Sequence, residues 1–258
     1  PNAQQFAAPP AAFTYHEPPI VSHTSPASGP VSGATVVAVY GSGFSRRGAC
    51  DTVCSFGSLL VSGSIRSDGE LTCESPAQTN ASVGGRVSLN RQQYPAVGPP
   101  FVYTSDCVLD AVSPRSGPVG GGTALRVSAF DALGVANGSA LSGGDDYRCQ
   151  WAGGPAGSHT VPASLAADGD VLCTTPNLTS ASAAGSYALA LSLNRQQYRG
   201  ALPFAFLAAA APTALSPASG PLLGGTAVVV SGAQLAGGDN YTCTFGDAPP
   251  VLAALDGD

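Results

Sequence analysis

The chain has 258 residues, of which 44% are hydrophobic and only 10% are charged, a composition typical of folded modules rather than of a disordered tail. The formal net charge is −6 and all ten basic residues are arginines, so the chain lacks the basic face that a nucleic-acid-binding protein presents to phosphates. No hydrophobic run approaches the roughly 18 residues of a membrane-spanning helix, so we expect no membrane contact in this segment.

One short segment recurs along the chain and organises the rest. The pattern Ser-Pro-x-Ser-Gly-Pro stands at residues 25–30, 113–118 and 216–221. Each copy precedes a run rich in β-branched and aliphatic residues, as expected of a strand. Self-similarity at a long period indicates a repeated module.

Residues 1–18 are predicted to be the final part of one such module. The pattern Asn-x-Gln-Gln-aromatic at residues 2–6 matches residues 90–94 and 194–198, and an aromatic strand follows each copy. Since the sequence has no Met and begins with Pro1, we expect it to be a window of a longer or processed protein.

The first complete repeat is assigned to residues 19–105. Residues 36–40 belong to an apolar, β-branched run that indicates a strand, and Cys54 and Phe56 fall on one side of a second strand. Asp-Gly at residues 68–69 predicts a turn, after which the alternation resumes. This order of short strands and turns indicates an all-β module.

The second repeat, residues 106–208, follows the same order, with Cys149 and Trp151 in the places of Cys54 and Phe56. The third copy, residues 209–258, covers only the first part of a repeat.

The period of the repeats predicts the fold class. The first cysteines of the three copies, Cys54, Cys149 and Cys243, are 95 and 94 residues apart. A module of about a hundred residues with many short strands is typical of an immunoglobulin-like sandwich and is too long for the common solenoids. We therefore predict tandem all-β immunoglobulin-like sandwiches, with short joints that make the array semi-rigid.

The recurring motifs resemble those of a known family. Ser-Pro-x-Ser-Gly-Pro-x-x-Gly-Gly-Thr, then a hydrophobic strand, then Cys-x-Phe-Gly and Cys-x-x-Pro, is similar to the IPT/TIG domain, an immunoglobulin-like fold found in plexins and some transcription factors. The resemblance covers nearly the whole chain. It implies an E-set type of sandwich, while one fold hosts many functions.

Two departures from the family pattern stand out. The turn that usually carries glycine after asparagine reads Asn90-Arg91 and Asn194-Arg195 here, so the turn type is left open. The basic loops with which the transcription-factor branch binds DNA are absent from this sequence, in line with its acidic charge.

The cysteines at equivalent positions of the repeats are expected to form disulfides, Cys54 with Cys73 and Cys149 with Cys173. For Cys243, the same register predicts a partner about three residues beyond Asp258.

Two further cysteines, Cys50 and Cys107, have no counterpart in the second repeat. We predict a bridge between them, and the alternatives are that Cys107 is free or joins another chain.

The cysteines and four Asn-x-Ser/Thr triplets together favour a secretory route. The acceptor asparagines are Asn80, Asn137, Asn177 and Asn240. We expect N-linked glycans on these residues.

Other groupings have competing interpretations. The carboxylate pairs at residues 145–146 and 168–170 could coordinate calcium, but they lack the closing glutamate, and Asp-Gly is itself a turn signal. Trp151 and the equivalent phenylalanines could stack on sugar, but a core position beside the disulfide is the stronger interpretation. No nucleophile and base recur together. We predict no catalytic residues, no metal and no cofactor.

These observations predict a structural, non-catalytic role in an extracellular glycoprotein. The array would be a spacer or the shaft of a cell-surface filament, on a cilium or in a cell coat, with other modules of the chain and further filament proteins as partners. The alternative is the ectodomain of an adhesion or signalling receptor that binds a protein or a glycan. A third possibility is an accessory region of an enzyme whose catalytic domain lies elsewhere.

Overall fold

The computed structural model describes residues 15, 17–45, 51–94, 98–131 and 140–256. The chain divides into two compact units. Unit 1 contains Pro1–Ser105 together with Gly143–Asp145, and unit 2 contains Asp106–Ser142 together with Asp146–Asp258.

The described residues of unit 1 form eight strands. They are β1 (Ile20–Ser25), β2 (Ser28–Pro30), β3 (Val36–Ser42), β4 (Val53–Phe56), β5 (Leu59–Ser67), β6 (Glu70–Glu74), β7 (Ser82–Ser88) and β8 (Pro100–Thr104). Their order in the hydrogen-bonded sheet is β1-β3-β6-β5-β4-β7-β8-β2, and only the pairing of β2 with β8 is parallel.

The strand β5 turns this continuous sheet into a sandwich, because its two halves pair with different partners. Residues 59–62 pair with β4, and residues 63–67 pair with β6. The strands on either side of β5 then enclose a single core.

Unit 2 repeats this plan. Its main strands are β9 (Cys107–Ser113), β10 (Ser116–Pro118), β11 (Ala124–Asp131), β12 (Arg148–Gly154), β13 (Gly157–Leu165), β14 (Val171–Thr174), β15 (Gly185–Ser192) and β16 (Tyr198–Leu207), with a 3-10 turn at Ala181–Ala183. Their order in the sheet is β9-β11-β14-β13-β12-β15-β16-β10, which matches the order of the equivalent strands of unit 1 position by position. Here β13 switches partners, from β12 to β14, between Pro162 and Ala163. The tandem-sandwich prediction is therefore confirmed for these two repeats.

The predicted third repeat contributes β17 (Ala211–Ser216), β18 (Val229–Ala233), β19 (Thr242–Cys243) and β20 (Val251–Leu252) to unit 2. β17 pairs with β18 and β19 with β20, both antiparallel, in the way that β1 pairs with β3 and β4 with β5. Many of its apolar side chains are exposed, such as Phe245 at 49%.

Each sandwich core is centred on aromatic rings in edge-to-face contact. In unit 2 the indole of Trp151, 0% exposed, lies 6.1 Å from the ring centroids of both Phe204 and Phe206. In unit 1, Phe56 takes the same position, 5.1 Å from Phe101. Because the Trp151 ring has no exposed face, it is a core residue and not a platform for sugar. No helix in the described part of the chain is long and apolar enough to span a membrane.

Tyr103, the unit 1 counterpart of Phe206, is a buried phenol whose hydroxyl has no hydrogen-bond partner among the described residues. Burial raises its pKa from 10.0 to about 12. Since only the unfolded chain ionises easily, the stability linked to the neutral phenol is complete below about pH 10 and is lost as the pH rises towards the folded pKa.

Tyr103→Phe is expected to leave the stability of unit 1 near neutral pH unchanged or to raise it by up to about 1 kcal/mol, because it removes a buried hydroxyl without a partner. The alkaline loss of stability linked to this phenol should disappear. Calorimetric unfolding between about pH 7 and about pH 11 measures both effects, and unit 2 is the internal control because it already carries Phe206. A variant destabilised by more than about 1 kcal/mol near neutral pH would contradict this account.

Candidate functional site

The recurring Ser-Gly-Pro segment is a short strand laid on the last strand of each sandwich. In unit 1 it is β2, parallel to β8, and in unit 2 it is β10, parallel to β16. The peptide bond before the preceding proline is cis in all three copies, Ser25–Pro26, Ser113–Pro114 and Ser216–Pro217.

The glycine of this segment is explained by close packing. A Cβ on Gly117 would lie 2.6 Å from Oγ1 of Thr123, the threonine that precedes β11. At Gly220 the same atom would lie 2.5 Å from Oγ1 of Thr226. The Gly and Thr of the repeated motif are thus a packing pair, in which the glycine makes room for the threonine.

In unit 2 an aspartate from the third repeat binds this segment at two points. Oδ1 of Asp239 accepts a hydrogen bond from the Ser116 hydroxyl at 2.6 Å, and Oδ2 accepts one from the backbone N–H of Arg115 at 2.7 Å. Both oxygens of one carboxylate are thereby used, in the charge-assisted geometry that makes hydrogen bonds strong.

Unit 1 contains the same arrangement. Oδ1 of Asp145 accepts from the Ser28 hydroxyl at 2.5 Å, and Oδ2 accepts from the backbone N–H of Ala27 at 2.5 Å. The sequence pattern assigns Asp145 to a turn. The structure adds that its carboxylate binds a segment more than a hundred residues away in sequence. Its sequence signal is a recurring Gly-Gly-Asp at residues 143–145 and 237–239, which has the spacing of the cysteines.

The other carboxylate pair is held by an arginine. Both Asp168 and Asp170 form ion pairs with the Arg126 guanidinium. The backbone N–H of Asp170, together with Arg126, holds the pKa of the Asp168 carboxyl below its usual value. The described residues contain no group of three or more His, Cys, Asp or Glu side chains arranged to hold a metal ion.

The turn left open by the sequence is now defined. The Asn90 side chain accepts the backbone N–H groups of the two residues that follow Arg91, at 3.1 and 3.3 Å. Arg91 has a φ of 62°, and Arg195 in the second repeat has a φ of 63°. The arginine rather than the asparagine takes the left-handed conformation, since the asparagine side chain closes the turn around it.

Both disulfides predicted from the equivalent positions of the cysteines in the repeats are present, with Cα–Cα distances of 6.3 Å for Cys54–Cys73 and 6.4 Å for Cys149–Cys173. The first joins β4 to β6 and the second joins β12 to β14. Each bond therefore links the two strands that flank the partner-switching strand, across the sandwich.

The remaining cysteines stay as predictions. Cys107 is half-buried and has no disulfide partner among the described residues, while Cys50 lies outside them. Cys243 is also half-buried and unpaired within the described part of the chain.

Three of the four predicted glycosylation sites are exposed asparagines, namely Asn80, Asn177 and Asn240. The Asn80 amide donates to the Ser105 hydroxyl at 2.6 Å. Asn137 lies outside the described residues. The exposed asparagines are accessible acceptors, and their occupancy remains a prediction.

Comparison with known proteins identifies the fold. The family model of the IPT/TIG domain matches residues 19–103, and no curated protein matches the sequence. The plexin A4 full extracellular region has a TM-score of 0.52 and 16% identity, over 92% of this chain and 20% of that chain. The Escherichia coli adhesin FdeC has a TM-score of 0.29 and 16% identity, over 73% of this chain and 65% of that chain.

This chain spans about a fifth of the plexin A4 region that it resembles. At 16% identity, the likeness establishes a shared fold and nothing more specific.

Proposed function

Because residues 19–103 are an IPT/TIG domain and unit 2 repeats its strand order, we propose that the chain is a non-catalytic structural segment of an extracellular glycoprotein. Its division into IPT/TIG repeats at residues 19–105, 106–208 and 209–258 is part of this proposal, as is the assignment of residues 1–18 to a preceding repeat.

The observation that carries the proposal is the disulfide in each complete sandwich. Both bonds are nearly inaccessible, since the four cysteines are at most 4% exposed. Disulfides of this kind form and persist in oxidising compartments. The exposed glycosylation sites Asn80, Asn177 and Asn240 favour the same route.

Within that setting we propose a spacer or shaft, in a ciliary hair or in a cell coat. The chain offers few charges for steering a ligand, and the interior of each described sandwich is filled by aliphatic and aromatic side chains. Repeats of equal plan, joined by short linkers, suit a semi-rigid element whose length depends on the number of copies. The partners would be further repeats of the same chain and other filament proteins.

The alternative is an adhesion or signalling ectodomain that binds a protein or a glycan. What favours it is the likeness in fold to the plexin A4 extracellular region.

Immunogold electron microscopy with antibodies raised against the chain tests the proposal, on cells that have not been permeabilised. We expect gold particles at regular intervals along filaments or within a coat. Diffuse labelling of the plasma membrane would contradict the shaft hypothesis and favour the receptor ectodomain. Labelling only after permeabilisation would overturn the extracellular assignment itself. Pre-immune serum on the same cells is the matched control.

A further inference from the structure

In each unit, the carboxylate of one aspartate accepts hydrogen bonds from the same two kinds of donor. The donors are a serine hydroxyl and the backbone N–H just before that serine, and the acceptor is Asp239 in unit 2 and Asp145 in unit 1. The aspartate follows a Gly-Gly pair in each case. Two loops that crossed by chance would not form the same two hydrogen bonds in both units.

The loop that carries the aspartate is shaped by its own glycines and tyrosine. Gly237 has a φ of 97° and Gly143 a φ of 87°, a conformation in which glycine is strongly favoured. The hydroxyl of Tyr241 accepts the Gly238 N–H at 3.0 Å, and the equivalent Tyr147 bonds to the carbonyl of Leu141 at 2.8 Å. The loop motif is therefore Gly-Gly-Asp-x-Tyr, supported by its own tyrosine.

The glycine of this loop also fits against the last strand of the sandwich. A Cβ on Gly237 would lie 3.1 Å from Cδ2 of Leu207, the residue at the end of β16. In unit 1 a Cβ on Gly143 would lie 3.2 Å from Cγ1 of Val102, on β8. The Ser-Gly-Pro segment and the strand beside it thus present two polar donors next to an apolar surface.

We propose that the Ser-Gly-Pro segment is a receptor for the Gly-Gly-Asp-x-Tyr loop of the repeat that follows, and that the aspartate carboxylate is the group it recognises. The partner is thereby defined by its chemistry, as another repeat of this kind with a carboxylate behind two glycines. Both carboxylate oxygens accept, so an alanine at this position removes both bonds, whereas an asparagine could keep both by accepting the backbone N–H and donating its NH2 to the serine oxygen.

The first test uses amide hydrogen exchange of the isotope-labelled 258-residue chain, measured by NMR. Asp239→Ala should accelerate exchange at the Arg115 amide by about tenfold or more and leave the Ala27 amide unchanged, since a hydrogen bond to a charged group is lost. Asp145→Ala should do the reverse. Asp247→Ala, which removes an exposed carboxylate outside the loop, should change neither.

A rescue experiment separates recognition from a general loosening of the third repeat. A peptide copying residues 234–242 is added to the Asp239→Ala chain, in which the receptor formed by Ser116 and Leu207 is intact. Protection of the Arg115 amide should return and saturate with peptide concentration, whereas the same peptide with alanine for aspartate should have no effect. Unchanged exchange in Asp239→Ala, or failure of the aspartate peptide to restore protection, would overturn the proposal.

Discussion

Replacing Trp151 with alanine is expected to lower the free energy of unfolding of the second sandwich by about 3–5 kcal/mol, the usual range for removing a large aromatic side chain from a core. The indole is 0% exposed and touches Phe204 and Phe206 edge to face. The surrounding strands are fixed by hydrogen bonds and by the disulfide at Cys149, so they have little freedom to collapse into the cavity.

Differential scanning calorimetry is the suitable measurement, because Trp151 is the only tryptophan and its fluorescence disappears with the substitution. The unfolding transition of unit 1 should stay in place. The matched control is Phe245→Ala, at the equivalent position of the third repeat. Its ring is 49% exposed, so we expect a change within about 0.5 kcal/mol. A loss below about 1 kcal/mol in Trp151→Ala would show that the indole does not organise the core.

The second large effect is expected from removing the Cys149–Cys173 disulfide by a double substitution to alanine. The bond closes a loop with a sequence separation of 24 residues. In the chain-entropy model a loop of this size stabilises the folded state by about 3 kcal/mol, because it restricts the unfolded chain. Both cysteines are buried in the core, so part of their packing is lost as well.

Urea unfolding followed by Trp151 fluorescence measures this loss within the second sandwich, since that ring packs in the same core as both cysteines. Cys243→Ala is the control, because Cys243 has no disulfide partner among the described residues, and it should change the stability by less than about 0.5 kcal/mol. Alkylation of the native chain gives an independent check. Rapid modification of Cys149 or Cys173 without a reducing agent would show that the bond is absent.

Several features follow from local pattern alone. The alternation that puts Cys54 and Phe56 on one side of a strand is a property of neighbouring residues, and both side chains lie in the core as expected. The repeat register, with cysteines 95 and 94 residues apart, identified equivalent strands in all three copies. The Asn90-Arg91 turn was located as well, but not the conformation of its arginine, which depends on hydrogen bonds from the asparagine side chain.

The sequence pattern indicates the partner-switching strands β5 and β13 less clearly than the strands that carry the cysteines. Half-buried residues do alternate along β5, at Val61, Gly63 and Ile65, but one of the three is a glycine and serine fills both positions between them. The pattern does not show that the two halves of one strand pair with different partners. That division follows from the sheet as a whole, because β4 and β6 must both be hydrogen-bonded while they lie on opposite sides of the core.

The sequence by itself determined the module, its period, the pairs of cysteines that oppose each other and the residues that fill the core. All of these depend on alternation and on copies of the same pattern, which can be read from one chain. The tertiary structure alone decided that Asp239 meets Ser116 and Asp145 meets Ser28, across 123 and 117 residues. A carboxylate in a glycine-rich loop looks the same in the sequence whether it faces water or two donors, because its partners are brought to it only by the folding of other strands.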